Sequence, residues 1–263
     1  MSVPSALMYH ALYGTPQEYE ALEVDERPYA LSRDMFAAHL QSLLDEGILV
    51  VDPTKLPFEA GGDPGVLITF DDGHVSNARI ATDLLAAKGA RAIFFLTAGH
   101  IGARRSACSW ADVRQMQQAG MVIGAHGYSH RFISQLDAGE AKSELVNSKR
   151  EIEQRLGTAV VQMSFPGGMY GKRDIELAAA AGYRVCHTSD IALDVADGLE
   201  GLTIVPRLAV RHSDKARKVL AWVRQDTLEL SRLRLTSWAK RTIRQALGPN
   251  FYHKAYQWRA RRR

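Results

Sequence analysis

Cysteine is scarce in this chain: Cys108 and Cys186 are the only two among 263 residues. Two thiols make no disulfide framework, so the expected state is reduced and the expected compartment is not one that depends on disulfides. Long apolar runs are missing as well. No stretch approaches the length of a membrane-spanning helix, and the opening Met1-Ser-Val-Pro-Ser-Ala-Leu-Met-Tyr-His10 lacks a basic segment followed by an extended apolar one. Neither a secretory leader nor a membrane span is therefore expected, and the cytoplasm is the expected location. A glycine-rich dinucleotide fingerprint after the first strand is also absent. Acidic residues are scarce in one region only. From Lys215 onward there are 14 Lys and Arg against Asp226 and Glu229, a balance of +12, which leaves 19 basic and 27 acidic residues, or −8, in the rest. The net +4 thus hides an acidic body with a basic tail.

What the chain does contain, with 46% hydrophobic residues, is enough for one substantial core. Short apolar runs alternate with helical patterns closed by glycine. Strands are expected near 6–10, 48–51, 66–70, 92–96, 121–125, 160–165, 183–187 and 202–205. Helices are expected from Ser32 to Gly47, over 76–88, from Ser109 or Trp110 to Gly120, over 138–156 and over 172–181; residues 11–30 read as a loop. Such alternation is the pattern of a parallel sheet with helices outside it. Right-handed crossovers then put every strand's C-terminal end on one side. A (β/α) barrel is preferred to an open doubly wound sheet.

Two stretches run from a strand into chemistry. Val66-Leu-Ile-Thr-Phe-Asp71-Asp72-Gly73-His74 ends in adjacent carboxylates, whose side chains point to opposite faces of an extended chain. One acid can hold a cation while the other moves a proton, although Asp-Asp-Gly is also an ordinary turn sequence. Val122-Ile-Gly-Ala-His126-Gly-Tyr-Ser-His130 ends in two histidines four apart, weak evidence alone and much stronger beside the first stretch. Asp72, His126 and His130 offer one carboxylate oxygen and two imidazole nitrogens, the ligand set of a catalytic zinc-type site with an open position.

Together, Thr69-Phe-Asp-Asp-Gly73 and His126-Gly-Tyr-Ser-His130 resemble the polysaccharide deacetylase family (the NodB-homology, carbohydrate esterase 4 group). The likeness runs from about residue 6 to 212. It implies a distorted (β/α) barrel as catalytic domain, 1–212, to which the tail's own composition adds a basic helical extension, 213–263. It implies hydrolysis of N-acetyl, less often O-acetyl, groups on sugars, with a divalent ion, Zn²⁺ first among candidates. By position, Asp71 matches the general base and Asp72, His126 and His130 the metal ligands. The loop Pro166-Gly167-Gly168 would stabilise the oxyanion through backbone N–H groups, and Tyr170 could stack on a sugar ring.

Two motifs depart from the family. Phe165-Pro166-Gly167-Gly168 stands where Arg-Pro-Pro-Tyr is usual, so the arginine that braces the base is missing from its place, and Arg207 is a candidate replacement. Ala209 and Val210 stand where a late histidine is normal. Branches opening with Met-Tyr-His use that early histidine as the acid, which gives the role to His10, with His212 or His187 in reserve. His74, Trp110 and Cys186 have ordinary structural readings. In the tail, Leu233-Arg-Leu-Thr-Ser-Trp and Tyr252-His-Lys-Ala-Tyr-Gln-Trp interleave basic and apolar residues, a pattern suited to a membrane surface. An N-acetylated glycan is the expected partner and no nucleic acid is expected. An amidase of small non-sugar amides, and a glycan-binding protein with little turnover, are the alternatives; the sequence sets no oligomeric state.

Overall fold

The computed structural model describes residues 5–55, 65–191, 196–197, 201–233 and 235. Its centre is a closed ring of seven parallel strands: β1 (Ser5–Tyr9), β2 (Gly65–Phe70), β3 (Ile93–Leu96), β4 (Val122–Ala125), β5 (Gln162–Ser164), β6 (Val185–Thr188) and β7 (Thr203–Ala209). Each neighbours the next, β7 pairs with β1 at Ala6↔Arg207, and β1 closes on β2 at Tyr9↔Phe70. The expected barrel is what forms. The strand expected at 48–51 shrinks to Leu49–Val50 and sits outside the ring, parallel to the start of β2.

Two-residue periodicity sorts the side chains. Ala6, Leu67, Ile93, Phe95, Val185 and Val205 fill the barrel's interior as one cluster. The alternating residues Leu7, Tyr9, Ile68, Phe70, Phe94 and Leu208 belong to a larger cluster shared with the helices. Asp71 follows β2 in the register of Leu67 and Thr69, and Arg207 on β7 has the register of Val205. Sequence parity alone therefore sends both charged groups into the mouth of the barrel.

Helices cover the ring at Arg33–Asp45, Trp110–Gln118, Ala138–Leu156 and Lys172–Ala180. The third starts with a reciprocal cap between Asp137 and Glu140 and stops at Gly157, whose φ of 69° is the left-handed turn that favours glycine. Over 76–88 the chain makes a π-helical turn, Asn77–Ala81, before the α-helix Thr82–Ala86. Residues 11–30 hold more order than a loop: Thr15 caps the helix Pro16–Ala21, and Arg27–Tyr29 makes a 3₁₀ turn. The helix Ala216–Val223 packs on Arg33–Asp45 and buries Val219 and Trp222, so the tail's beginning is part of the body. Residue 234 and residues 236–263 of the expected extension lie outside the described residues. Both cysteines are buried and free, and among the described residues no helix is long and apolar enough to cross a membrane.

Candidate metal centre and active-site cavity

The ends of β2 and β4 meet in one cluster. Asp72 Oδ1 lies 3.4 Å from His126 Nε2 and 3.1 Å from His130 Nε2. The three ligand atoms sit within 4.8 Å of one another, as one cation requires. Fit to a cation rests on two further observations. Oδ1 of Asp72 is buried and receives no aligned hydrogen bond despite its two nitrogen neighbours. His126 Nδ1 lies 2.5 Å from Ser164 Oγ, whose proton goes to Asp71, and 3.1 Å from the Ser164 carbonyl, which only accepts; with both as acceptors Nδ1 carries the proton and Nε2 presents a lone pair. Burial pushes the His126 pKa down to about 4 and keeps that imidazole neutral. For His130 burial acts the same way, but the Asp72 carboxylate 3.1 Å away outweighs it and raises the pKa. Burial alone would raise Asp72; its histidine neighbours, His130 first, hold it well below the ordinary carboxylate range.

Backbone conformation puts these groups together at a cost. Asp72 (φ 75°) and His130 (φ 64°) occupy the left-handed region, unusual for residues with a Cβ.

Asp71 sits beside the triad, with Oδ2 at 4.0 Å from His126 Nε2. Arg207 grips it through both guanidinium nitrogens, Nη1 to Oδ1 and Nη2 to Oδ2, each at 2.7 Å. The same guanidinium donates to the Thr188 carbonyl (3.2 Å) and Thr69 Oγ1 (3.0 Å), and lies over the Phe95 ring. Ser164 Oγ donates a weaker bond to Asp71 at 3.3 Å. Burial works to raise the Asp71 pKa, and the Arg207 charge, followed by His126, overrides it. The arginine missing near residue 165 thus has a counterpart on β7.

A cavity of about 1250 Å³ opens over these groups. His10, Gly167 and Gly168 line it; Tyr170, His187 and His212 do not. His10 packs against Tyr29, the ring centroids 4.9 Å apart and the planes tilted by 35°, and its Nδ1 is buried without a hydrogen-bond partner. Tyr170 instead stacks on Phe165 at 5.1 Å and donates to Asp190. His187 lies inside the barrel with Nε2 donating to Gln162 at 3.0 Å, and His212 is exposed. The expected pair of oxyanion donors is reduced to one, because the Gly168 N–H already donates to the Phe165 carbonyl at 2.9 Å. Glycine is needed at 168: φ is 64°, and a Cβ would stand 2.3 Å from Ser189 Oγ.

Sequence reasoning missed Ser164 and Glu144. Ser164 ends β5 at the same barrel face, which was a usable signal. Glu144 reaches the loop between His126 and His130 from the middle of the helix Ala138–Leu156, and no local pattern marks it.

The family model for polysaccharide deacetylases matches residues 59–186. YxkH of Bacillus subtilis (strain 168), a protein of polysaccharide deacetylase type, is 26% identical over 189 residues, covering 70% of this chain and 63% of the relative. A chitin deacetylase from a Pestalotiopsis species is 28% identical over 127 residues, 48% and 42% of the two. The chain thus spans less than two thirds of the length of these curated relatives. Among solved structures, IcaB from Ammonifex degensii superposes with a TM-score of 0.71 at 26% identity, over 85% of this chain and 97% of that one. The deacetylase PplD of Streptococcus pyogenes, solved with acetate, shares the fold at a TM-score of 0.71 and 21% identity, over 84% and 98%.

Proposed function

We propose, for a chain that belongs to the polysaccharide deacetylase family, that it removes N-acetyl groups from amino sugars of a polysaccharide or lipid-linked glycan by metal-dependent hydrolysis. The observation that carries this reading is the convergence of Asp72, His126 and His130 beside a second, separately braced carboxylate, Asp71. Asp72, His126 and His130 would hold a divalent ion, Zn²⁺ by their mixed nitrogen and oxygen donors, which would supply a water acidified from a pKa of about 15.7 towards 7 and a Lewis acid for the acetyl carbonyl.

Asp71 takes the proton from the attacking water. Its grip by Arg207 keeps it ionised and fixes its direction, leaving the carboxylate to act as a base rather than as a further ligand. The Gly167 N–H is the remaining loop donor for the oxyanion. The departing amine needs a proton, and His10 supplies it from the cavity wall, with its ring held by Tyr29. A volume of about 1250 Å³ exceeds what a small amide needs and suits several sugar units.

The test is acetate release from N-acetylated oligosaccharides. Wild type should release acetate and Asp71→Asn should not, while both bind Zn²⁺. Equal release by the two would end this reading, and release only from small non-sugar amides would move it to an amidase.

The setting is the cytoplasmic face of a membrane, supported by the basic and apolar interleaving of the tail. Because the helix Ala216–Val223 is packed into the body, the chain to compare with full length in liposome flotation ends at 235. Equal binding to anionic vesicles would remove the claim.

A further inference from the structure

Three residues separate the two histidines of the triad, and their backbone is paired along both edges. The carbonyls of Gly127 and Tyr128 accept the N–H groups of Ala98 (3.1 Å) and Gly99 (2.8 Å). That approach needs glycine at 99, where a Cβ would meet the Tyr128 carbonyl at 2.8 Å. On the other edge stands a single side chain. Glu144 Oε2 accepts the N–H groups of both Tyr128 and Ser129 at 2.8 Å, and Oε1 accepts the Ser129 hydroxyl at 2.5 Å.

Glu144 is 8% exposed, and no basic side chain pairs with it among the described residues. Burying a carboxylate without a cation is unfavourable unless hydrogen bonds replace its hydration. Here three donors do so, and all three belong to the segment between the ligands. The same segment runs from Gly127 (φ 71°) to His130 (φ 64°), two left-handed residues of which only one is glycine. His130 must be held in that conformation by its surroundings, and it is the conformation that aims Nε2 at Asp72.

We propose that Glu144 is a positioning residue of the metal centre: by gathering the amide hydrogens of Tyr128 and Ser129 it locks the turn that presents His130 to the cation. This rests on the metal-dependent reading above. A purely structural Glu144 would tie helix to loop with no consequence for the ion. A positioning Glu144 sets the affinity of the site without touching it, as groups behind metal ligands do, with a usual loss of about 10–100-fold on removal.

The experiment compares wild type, Glu144→Gln, Glu144→Asp and Glu144→Ala by Zn²⁺ competition against a chromophoric chelator and by melting with and without Zn²⁺. Gln keeps an oxygen for the two amides and turns its NH₂ to the Ser129 hydroxyl, so affinity should stay within about threefold of wild type. Asp draws the oxygens back by one methylene and Ala removes them, so both should bind Zn²⁺ about 10–100-fold more weakly. The rise in Tm on adding Zn²⁺ should shrink with them. Should Ala not fold, Asp decides. A folded Asp or Ala variant with wild-type affinity and an undiminished Zn²⁺ increment would overturn the proposal. A wild-type chain that binds no Zn²⁺ would instead remove the metal reading on which it stands.

Discussion

Replacing Arg207 with methionine strips the buried Asp71 carboxylate of its two strongest donors while keeping an apolar chain of similar reach. Arg207 is 1% exposed and Asp71 2%, and they share two 2.7 Å bonds. Removing one member of such a pair costs about 3–5 kcal/mol, chiefly because the partner's charge stays buried without compensation. For a chain of this size, at roughly 2–4 °C per kcal/mol, Tm should fall by about 6–20 °C. The Asp71 pKa should also rise once the Arg207 charge no longer opposes its desolvation. A protonated Asp71 cannot accept another proton, so acetate release should drop by at least about 10²-fold. Adding Asp71→Asn to Arg207→Met removes the stranded charge and should recover much of the stability with none of the activity. Differential scanning fluorimetry and an acetate assay on the same samples read both. An Arg207→Met chain with wild-type Tm and turnover would refute the bracing argument, and a double variant less stable than either single one would refute its electrostatic basis.

His10→Gln should lower kcat by about 10²–10⁴-fold while leaving Zn²⁺ affinity unchanged, since His10 stands outside the triad; full activity would take the acid role away from it. Stability should decline in mild acid, read as urea midpoints without metal. Burial holds His39 and His187 below the ordinary imidazole pKa. The unfolded chain therefore binds protons first as pH drops through about 6.5, and stability present above that value is lost below it. From pH 7 to 5.5 the two together should cost up to about 2–3 kcal/mol, and a flat profile there would mean that these imidazoles are solvated.

Much of the site was legible because strands announce their own ends. Asp71-Asp72-Gly73 and His126 follow runs of apolar residues too short for helices, and a parallel barrel collects all such ends on one face. Arg207 was only a candidate, since the last strand was expected to stop at 205. It continues to Ala209, and the inward register of Val205 carries Arg207 to Asp71. The order within 11–30 was hidden by its polar composition, although Thr15 with Glu18 formed a readable helix cap. Tyr170 looked like a sugar platform from its place beside the glycine loop, but Phe165 and Asp190 engage it. Glu144 was illegible for a different reason. Its helix was placed correctly over 138–156, yet what matters is how one buried turn meets a loop 15 residues away, which periodicity does not encode.

Zn²⁺ titration of chelator-stripped protein, with acetate release followed at each addition, tests the central claim most directly. Release should be negligible without metal, rise in proportion to added ion and level off at one equivalent, while Asp72→Ala stays silent over the same range. Full release from the stripped protein, or an Asp72→Ala variant that binds one equivalent and turns over like wild type, would contradict it.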